Sequence, residues 1–372
     1  MKSWNDIQKA TNSQILAWAN TETWADPMRR CLQDAQWHAE GDVWTHTLMV
    51  CRELEHVEGY ADLGREAQLM LLFTALLHDA GKPATTVIDP ETGRTRSPKH
   101  SMVGAAMARE ILRDLGCPLP TREHIVNLVR YHGRPPYLLE QNEPEREVIR
   151  LSCGLSNHLL YLFALADTRG RTTTEMKRPE DNLHLWRDVA LEQNSFHHPY
   201  AFANDHARFL LFRGDLSNLH YTPHESYRCT ASIISGLPGA GKDTWLKKHL
   251  PELPVVSLDS IRDELDISAT GNQGQVVQEA REQCRQHLRA GRNFAFNATN
   301  ITAQMRKRWI DLFADYGARV EIFYLEPPLA TLLRQNKERP ESVPESVIYR
   351  LLKKLEVPTA GEAHQVTLIG EI

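Results

Sequence analysis

Two sets of residues in this chain have the types and spacing of reactive groups. The first is dispersed: His46 in VWTHTLMV, the adjacent pair His78-Asp79 in LLHDAGK, His100 in KHSMVGA, His132 in RYHGRP and Asp167 in FALADTRGR. Each stands on or beside an apolar stretch with helical spacing. Imidazoles and carboxylates converging from several helices are donors suited to divalent transition metals, which lower the pKa of bound water and polarise a phosphoryl group. The second is contiguous: Gly236-Leu237-Pro238-Gly239-Ala240-Gly241-Lys242-Asp243-Thr244, after a β-rich run and before WLKKHL. A GxxxxGK frame between strand and helix turns successive backbone N–H groups, with the helix N-terminus and Lys242, toward β- and γ-phosphate oxygens.

In the second set, the residue after the lysine is ordinarily a Ser or Thr whose hydroxyl binds Mg²⁺; here it is Asp243. Thr244 sits ~100° further round the helix and cannot take the same place. Asp243 is a hard oxygen ligand and is expected to hold Mg²⁺. Farther on, Asp259 and Arg262 in SLDSIR share one face of a helical turn. A carboxylate beside a phosphate cradle accepts a proton from an attacking hydroxyl, and a neighbouring arginine fixes a phosphate on the acceptor. An i,i+3 salt bridge at a helix start is the alternative for this pair.

These groups need elements to position them. Up to about residue 213 apolar residues recur at helical spacing, as in 67–77, 100–115, 123–131 and 159–167, without a run of strands. That part reads as all-α. Residues 214–226, rich in Gly, Ser, Asn and Pro, read as a linker. From 227 to 372, short β-rich runs at 227–235, 255–258, 294–296 and 320–325 alternate with helical stretches, which implies an α/β domain with a parallel sheet. Of the 17 histidines, 14 precede residue 225, so the two parts are expected to do different chemistry.

Composition narrows the classes. The 372 residues suffice for two domains, and 41% hydrophobic with 24% charged residues describes an ordinary globular chain. The net charge of −5 argues against a protein that coats duplexes, so nucleic-acid contacts must come from local Arg and Lys clusters. The longest nearly apolar stretch, 69–77, is too short to span a membrane, and mean hydropathy is −0.45. The N-terminus lacks an apolar export segment, and six scattered cysteines fit buried thiols, so a cytoplasmic location is expected.

The segment from about 228 to 358 resembles the polynucleotide 5′-hydroxyl kinase family of P-loop phosphotransferases. That resemblance implies ATP or another NTP with Mg²⁺ as cofactor, Asp259 as general base and Arg262 as acceptor clamp. It also implies a lid with two arginines for the donor phosphates. Anchored on Asn336 in LLRQNKER, Arg339 falls on the second; Gln335 occupies the first, with Arg334 one residue away. The family's DxTN segment is matched by Asn297-Ala298-Thr299-Asn300, whose first residue is Asn. One carboxylate is lost there and one gained at Asp243, as if the charge had moved.

Residues 38–171 resemble the HD phosphohydrolase superfamily, with its H…HD…D signature. By that resemblance His46, His78, Asp79 and Asp167 hold metal, and His100 and His132 match the extra histidines of two-metal members. One or two divalent transition metals (Mn²⁺, Ni²⁺, Co²⁺, Zn²⁺ or Fe²⁺) are implied. Lys82, three residues after Asp79 and so on the same helix face, would help bind the substrate phosphate; Arg169 and Arg171 would do likewise or pair with acidic neighbours. His38 and His124 are expected to be structural. The order of modules is similar to the bifunctional end-healing enzymes called HD-Pnk. That likeness implies removal of a 2′,3′-cyclic, 2′- or 3′-phosphate from RNA ends and phosphorylation of a 5′-hydroxyl end. The implied partners are RNA or DNA ends and an RNA ligase, with no membrane. Two alternatives remain: a small-nucleotide kinase fused to a nucleotidase, and a non-catalytic nucleotide-binding regulator.

Overall fold

The computed structural model describes residues 1–173, 180–268, 271–339 and 341–370. Contacts divide them into two units, Met1–Ala201 and Phe202–Ile372.

The first unit is helical, as its periodicity implies. Two of its helices, Arg65–Leu77 and Asn157–Arg169, are apolar on nearly every side and occupy the core, burying Leu71 to Leu77 and Leu159 to Ala166. Around them lie Val43–Glu53, His100–Asp114 and Leu119–Tyr131, each with a polar outer face. Asp42 starts the first of these by accepting the Thr45 amide at 2.9 Å. One feature departs from the all-α expectation: β1 (Val87–Ile88) and β2 (Thr95–Arg96) form an antiparallel hairpin. Two residues per strand carry no readable period.

The second unit is a five-stranded sheet flanked by helices. Its strands are β3 (Cys229–Gly236), β4 (Val255–Ser257), β5 (Phe294–Asn297), β6 (Ala318–Leu325) and β7 (Gln365–Ile369), in the order β4-β5-β3-β6-β7 with every pairing parallel. Central β3 is buried along almost its whole length, as a strand covered on both faces must be. β7 has no counterpart among the expected β-rich runs; it is a partly exposed edge strand. The division between units also falls earlier than 213. The helix Asp205–Arg213 belongs to the sheet unit, because Phe209 is part of that unit's core and Arg208 donates to the Ala360 carbonyl at 3.1 Å.

Candidate functional sites

In the helical unit, chain geometry gathers the dispersed histidines. His78 and His132 occupy the C-terminal caps of Arg65–Leu77 and Leu119–Tyr131. There each ring folds back so that Nδ1 donates to a carbonyl the ending helix leaves unpaired: Ala75 for His78 and Val129 for His132, both at 2.8 Å. His100, at the start of its helix, does the same with Ser97 at 2.8 Å, and His46 Nδ1 lies 3.0 Å from Glu40 Oε1. All four rings therefore present Nε2 inward. Gly81 permits the convergence, since a Cβ there would meet the His100 carbonyl oxygen at 2.2 Å.

Asp79 sits in the middle. Its Oδ2 lies 3.1 Å from His78 Nε2 and 4.0 Å from His46 Nε2; its Oδ1 lies 3.5 Å from His100 Nε2 and 4.0 Å from His132 Nε2. Asp167 Oδ1 closes the first group, 3.0 Å from His46 Nε2 and 3.9 Å from His78 Nε2. Three donor sets result: the facing pair His46-His78-Asp167 and Asp79-His100-His132, and His38-Glu40-His46 on the Nδ1 side of His46. Donors around an ion at about 2.0–2.2 Å are separated by roughly 3–3.5 Å when adjacent and by up to about 4.4 Å when opposite, and the spacings here, 3.0 to 4.0 Å, fall within that span.

The electrostatics agree. With the Nδ1 proton engaged outward, a neutral ring directs its Nε2 lone pair at whatever it faces. His78 Nε2 makes no hydrogen bond and faces two carboxylates, and His100 and His132 face each other, Nε2 to Nε2, at 3.3 Å. Lone pairs aimed at anions and at each other are repulsive unless a cation lies between them, so the residues fit divalent metal. Burial pushes His132 down to about 3, which keeps it neutral. Burial would raise the Asp79 carboxyl, but its surroundings, with the Lys82 ammonium 2.7 Å away, hold the group well below the carboxylate range.

This centre lines a cleft of about 400 Å³. Lys82 reaches it, with Nζ 2.7 Å from Asp79 Oδ2 and 2.6 Å from Gln33 Oε1. It does so by a route other than the shared helix face expected: the helix ends at Leu77, and Lys82 begins a new short helix, Lys82–Thr85, after a turn. Arg171 lines the cleft and pairs with Asp167, whereas Arg169 pairs with Glu180 at 2.7 Å, away from it. His124 accepts the Ser156 amide at 3.0 Å. His38 is on the cleft wall, with Nδ1 2.9 Å from Glu40 Oε1. Sequence reasoning also missed Glu40, which braces both His38 and His46 and accepts the Thr172 amide. The only signal for it was an acidic residue two positions after a histidine.

In the sheet unit, Ile234, Asn297 and Ser257 are aligned across β3, β5 and β4, so the segments leaving these strands gather at one carboxyl edge, where open parallel sheets bind ligands. The phosphate loop leaves β3. Gly239 and Gly241 take φ of +80° and +79°, and a Cβ on Gly239 would strike Leu332 O and Asn336 Cβ at 2.9 Å. Ala240 is buried beneath the loop. Lys242 opens the helix Lys242–His249 and folds over the loop, donating to Gly236 O at 3.1 Å and Leu237 O at 3.0 Å. Burial lowers its pKa to about 8, against the pull of Asp243 and with help from Arg339.

The surrounding cleft, about 1110 Å³, is lined by Lys242, Asp243, Thr244, Asp259, Arg262 and Arg339. Asp259 and Arg262 are joined by the i,i+3 ion pair, and both still face the cleft. Asn297 Nδ2 donates to Asp243 Oδ1 at 2.6 Å. Arg334 does not reach: it is exposed on the helix Leu329–Glu338, and Gln335, one residue round the helix, lines the cleft instead. Arg350, from the helix Glu345–Leu352, also lines it. It was missed because one arginine on an amphipathic helix gives no motif.

Comparison with known proteins defines the class. Residues 43–158 match the HD domain, and residues 232–358 match an AAA domain of the AAA_33 type. The chain thus carries a helical HD domain followed by a P-loop kinase-like domain. It is similar to the CC-adding tRNA nucleotidyltransferase of Thermus thermophilus, with 38% identity over 32% of this chain and 26% of that protein. It is also similar to the A-adding tRNA nucleotidyltransferase of Deinococcus radiodurans, with 40% identity over 18% of this chain and 15% of that one. The Multifunctional CCA protein of Halorhodospira halophila is 34% identical over 28% and 22% respectively. The chain spans about a quarter or less of the length of these relatives. One solved structure from Chloroflexus aurantiacus, a kinase by inference, is 14% identical over 39% of this chain and 86% of its own. Its TM-score of 0.31 is too low to bear on function. Among the described residues no single helix is long and apolar enough to cross a membrane.

Proposed function

We propose that this protein heals nucleic-acid ends: the HD unit removes a 2′,3′-cyclic, 2′- or 3′-phosphate, and the P-loop unit transfers the γ-phosphate of an NTP to a 5′-hydroxyl. The observation that carries the first half is Asp79, whose two oxygens face separate histidine groups, as a carboxylate bridging two cations does. A divalent cation held there supplies Lewis acidity toward a phosphoryl group. Lys82 and Arg171 flank the centre from the cleft and would hold the non-bridging phosphate oxygens as charge-assisted donors. The names of the relatives place tRNA among their substrates, which agrees with an RNA end in this cleft.

In the P-loop unit, the loop amides, Lys242 and Arg339 hold the donor phosphates, and Asp243 fits Mg²⁺ as an oxygen ligand facing them. Asp259 takes the proton of the attacking 5′-hydroxyl as its oxygen bonds to the γ-phosphorus and the bond to the β-phosphate oxygen breaks. Arg262, released from Asp259, binds the acceptor's next phosphate. A cytoplasmic setting and a ligase that consumes both healed ends belong to this reading.

The test compares acceptors. An oligoribonucleotide with a 5′-hydroxyl and a nucleoside are offered with labelled ATP, and a cyclic-phosphate-ended oligoribonucleotide is compared with a 2′,3′-cyclic mononucleotide. Preference for both oligonucleotides supports end healing. Preference for both small substrates replaces it with a nucleotide kinase fused to a nucleotidase, and ATP binding with no transfer to either acceptor leaves a regulator.

A further inference from the structure

The residue after the loop lysine and the residue ending the neighbouring strand depart from the usual pattern together. Position 243 has a carboxylate where a hydroxyl is ordinary, and position 297 has an amide where the resembling DxTN segment has a carboxylate. The fold brings them into contact: β5 lies beside β3, and Asn297 Nδ2 donates to Asp243 Oδ1 at 2.6 Å. Asn297 is 5% exposed, and its other polar atom, Oδ1, makes no hydrogen bond among the described residues. Buried amide oxygens are normally satisfied, so this one marks a missing partner. The partner must be a cation or donor beside the Asp243 carboxylate, which itself lines the cleft that holds Lys242. A hard divalent cation or its water takes carboxylate and amide oxygens in that way.

A hydroxyl facing a carboxylate and a carboxylate facing an amide carry the same net charge of −1. They differ in which side of the hydrogen bond bears it. We infer that Asp243 and Asn297 are one exchanged unit, in which Asp243 holds the nucleotide's divalent cation and Asn297 positions its carboxylate. Asn297 is a positioning residue: its amide fixes one carboxylate oxygen and leaves the other for the ion. The inference rests on the nucleotide-binding reading of this cleft.

The test measures binding, not turnover. ADP affinity is determined by calorimetry with excess Mg²⁺ and with chelator, and bound Mn²⁺ is followed by electron paramagnetic resonance in the presence of ADP. The proteins are the full-length wild type, Asp243→Asn, and the reciprocal Asp243→Asn/Asn297→Asp. In the wild type Mg²⁺ strengthens ADP binding and ADP recruits Mn²⁺. Asp243→Asn loses that Mg²⁺ gain, about tenfold or more, and the Mn²⁺ signal, while chelated ADP still binds. The exchange variant, with the charge returned to position 297, regains most of both. Retention of the full Mg²⁺ gain by Asp243→Asn overturns the assignment of the ion to Asp243, and a folded exchange variant that regains nothing overturns the exchange. A wild type that binds no ADP with or without Mg²⁺ overturns the nucleotide reading itself, and this inference with it. Should Asp243→Asn misfold, Asp243→Ser with and without Asn297→Asp gives the same comparison.

Discussion

The two units build their sites by opposite means. In the helical unit the reactive atoms are side chains from widely separated positions, His46 to Asp167, and each ring is aimed by a local device: a helix-end carbonyl for His78 and His132, the Ser97 carbonyl for His100, Glu40 for His46. In the sheet unit the cradle is main chain, a short loop at one strand end, and side chains are added at its rim. The first site rests on side chains alone, so it is expected to be sensitive to single substitutions. The second is held by the sheet, so its binding and catalytic groups are separable.

That contrast is broken most severely at Asp79. Because its Oδ2 faces His46 and His78 while its Oδ1 faces His100 and His132, Asp79→Asn is expected to abolish binding of both ions and to cut hydrolysis on the order of a thousandfold or more, whereas His100→Ala removes one ion. Metal stoichiometry on the folded variants checks this; equal loss in both variants contradicts it. A smaller effect sharpens the same point. Glu40→Gln keeps the shape but weakens the brace on His46, and metal affinity should fall about 10- to 100-fold, read by competition with a chelator.

The sheet site is expected to respond to pH instead. Lys242 has a pKa of about 8 in the free protein, and the charged form is the one that attracts phosphate. Bound phosphate raises that pKa, so ADP binds fully below 8 and weakens as pH rises through it, by up to about tenfold per unit. A flat affinity across that range would show that Lys242 does not contact the phosphates. The smallest contrast lies in the lid: Arg339→Ala should weaken nucleotide binding about tenfold, and Arg334→Ala by less than about twofold, since only Arg339 faces the cleft. Similar losses at both would show that the lid rearranges on binding.

Legibility in the sequence divides along the same line. The loop could be read letter by letter, since its glycines are required by backbone conformation and its context by strand and helix periods. The histidine set could be read as an ordered pattern, because ligand types are restricted even where spacing is not. Features set by rotation or by partners could not be read. Arg334 and Gln335 differ by one step around a helix, and only the packing of that helix decides which faces the cleft. His38 gains its place from Glu40, a pairing that residue types alone do not reveal. The helix Asp205–Arg213 has the texture of the helical unit, yet Phe209 packs in the core of the sheet unit. The hairpin and β7 are short or half-exposed, and leave no strong period to find.

The separation of the two chemistries is tested most directly with one oligoribonucleotide carrying a cyclic phosphate at one end and a hydroxyl at its 5′ end, incubated with ATP and divalent metal. With Lys242→Ala the cyclic phosphate should still be removed and the 5′ end remain unphosphorylated; with Asp79→Asn the 5′ end should gain phosphate and the cyclic phosphate persist. Loss of both reactions in either folded variant, or of neither in both, would contradict the account.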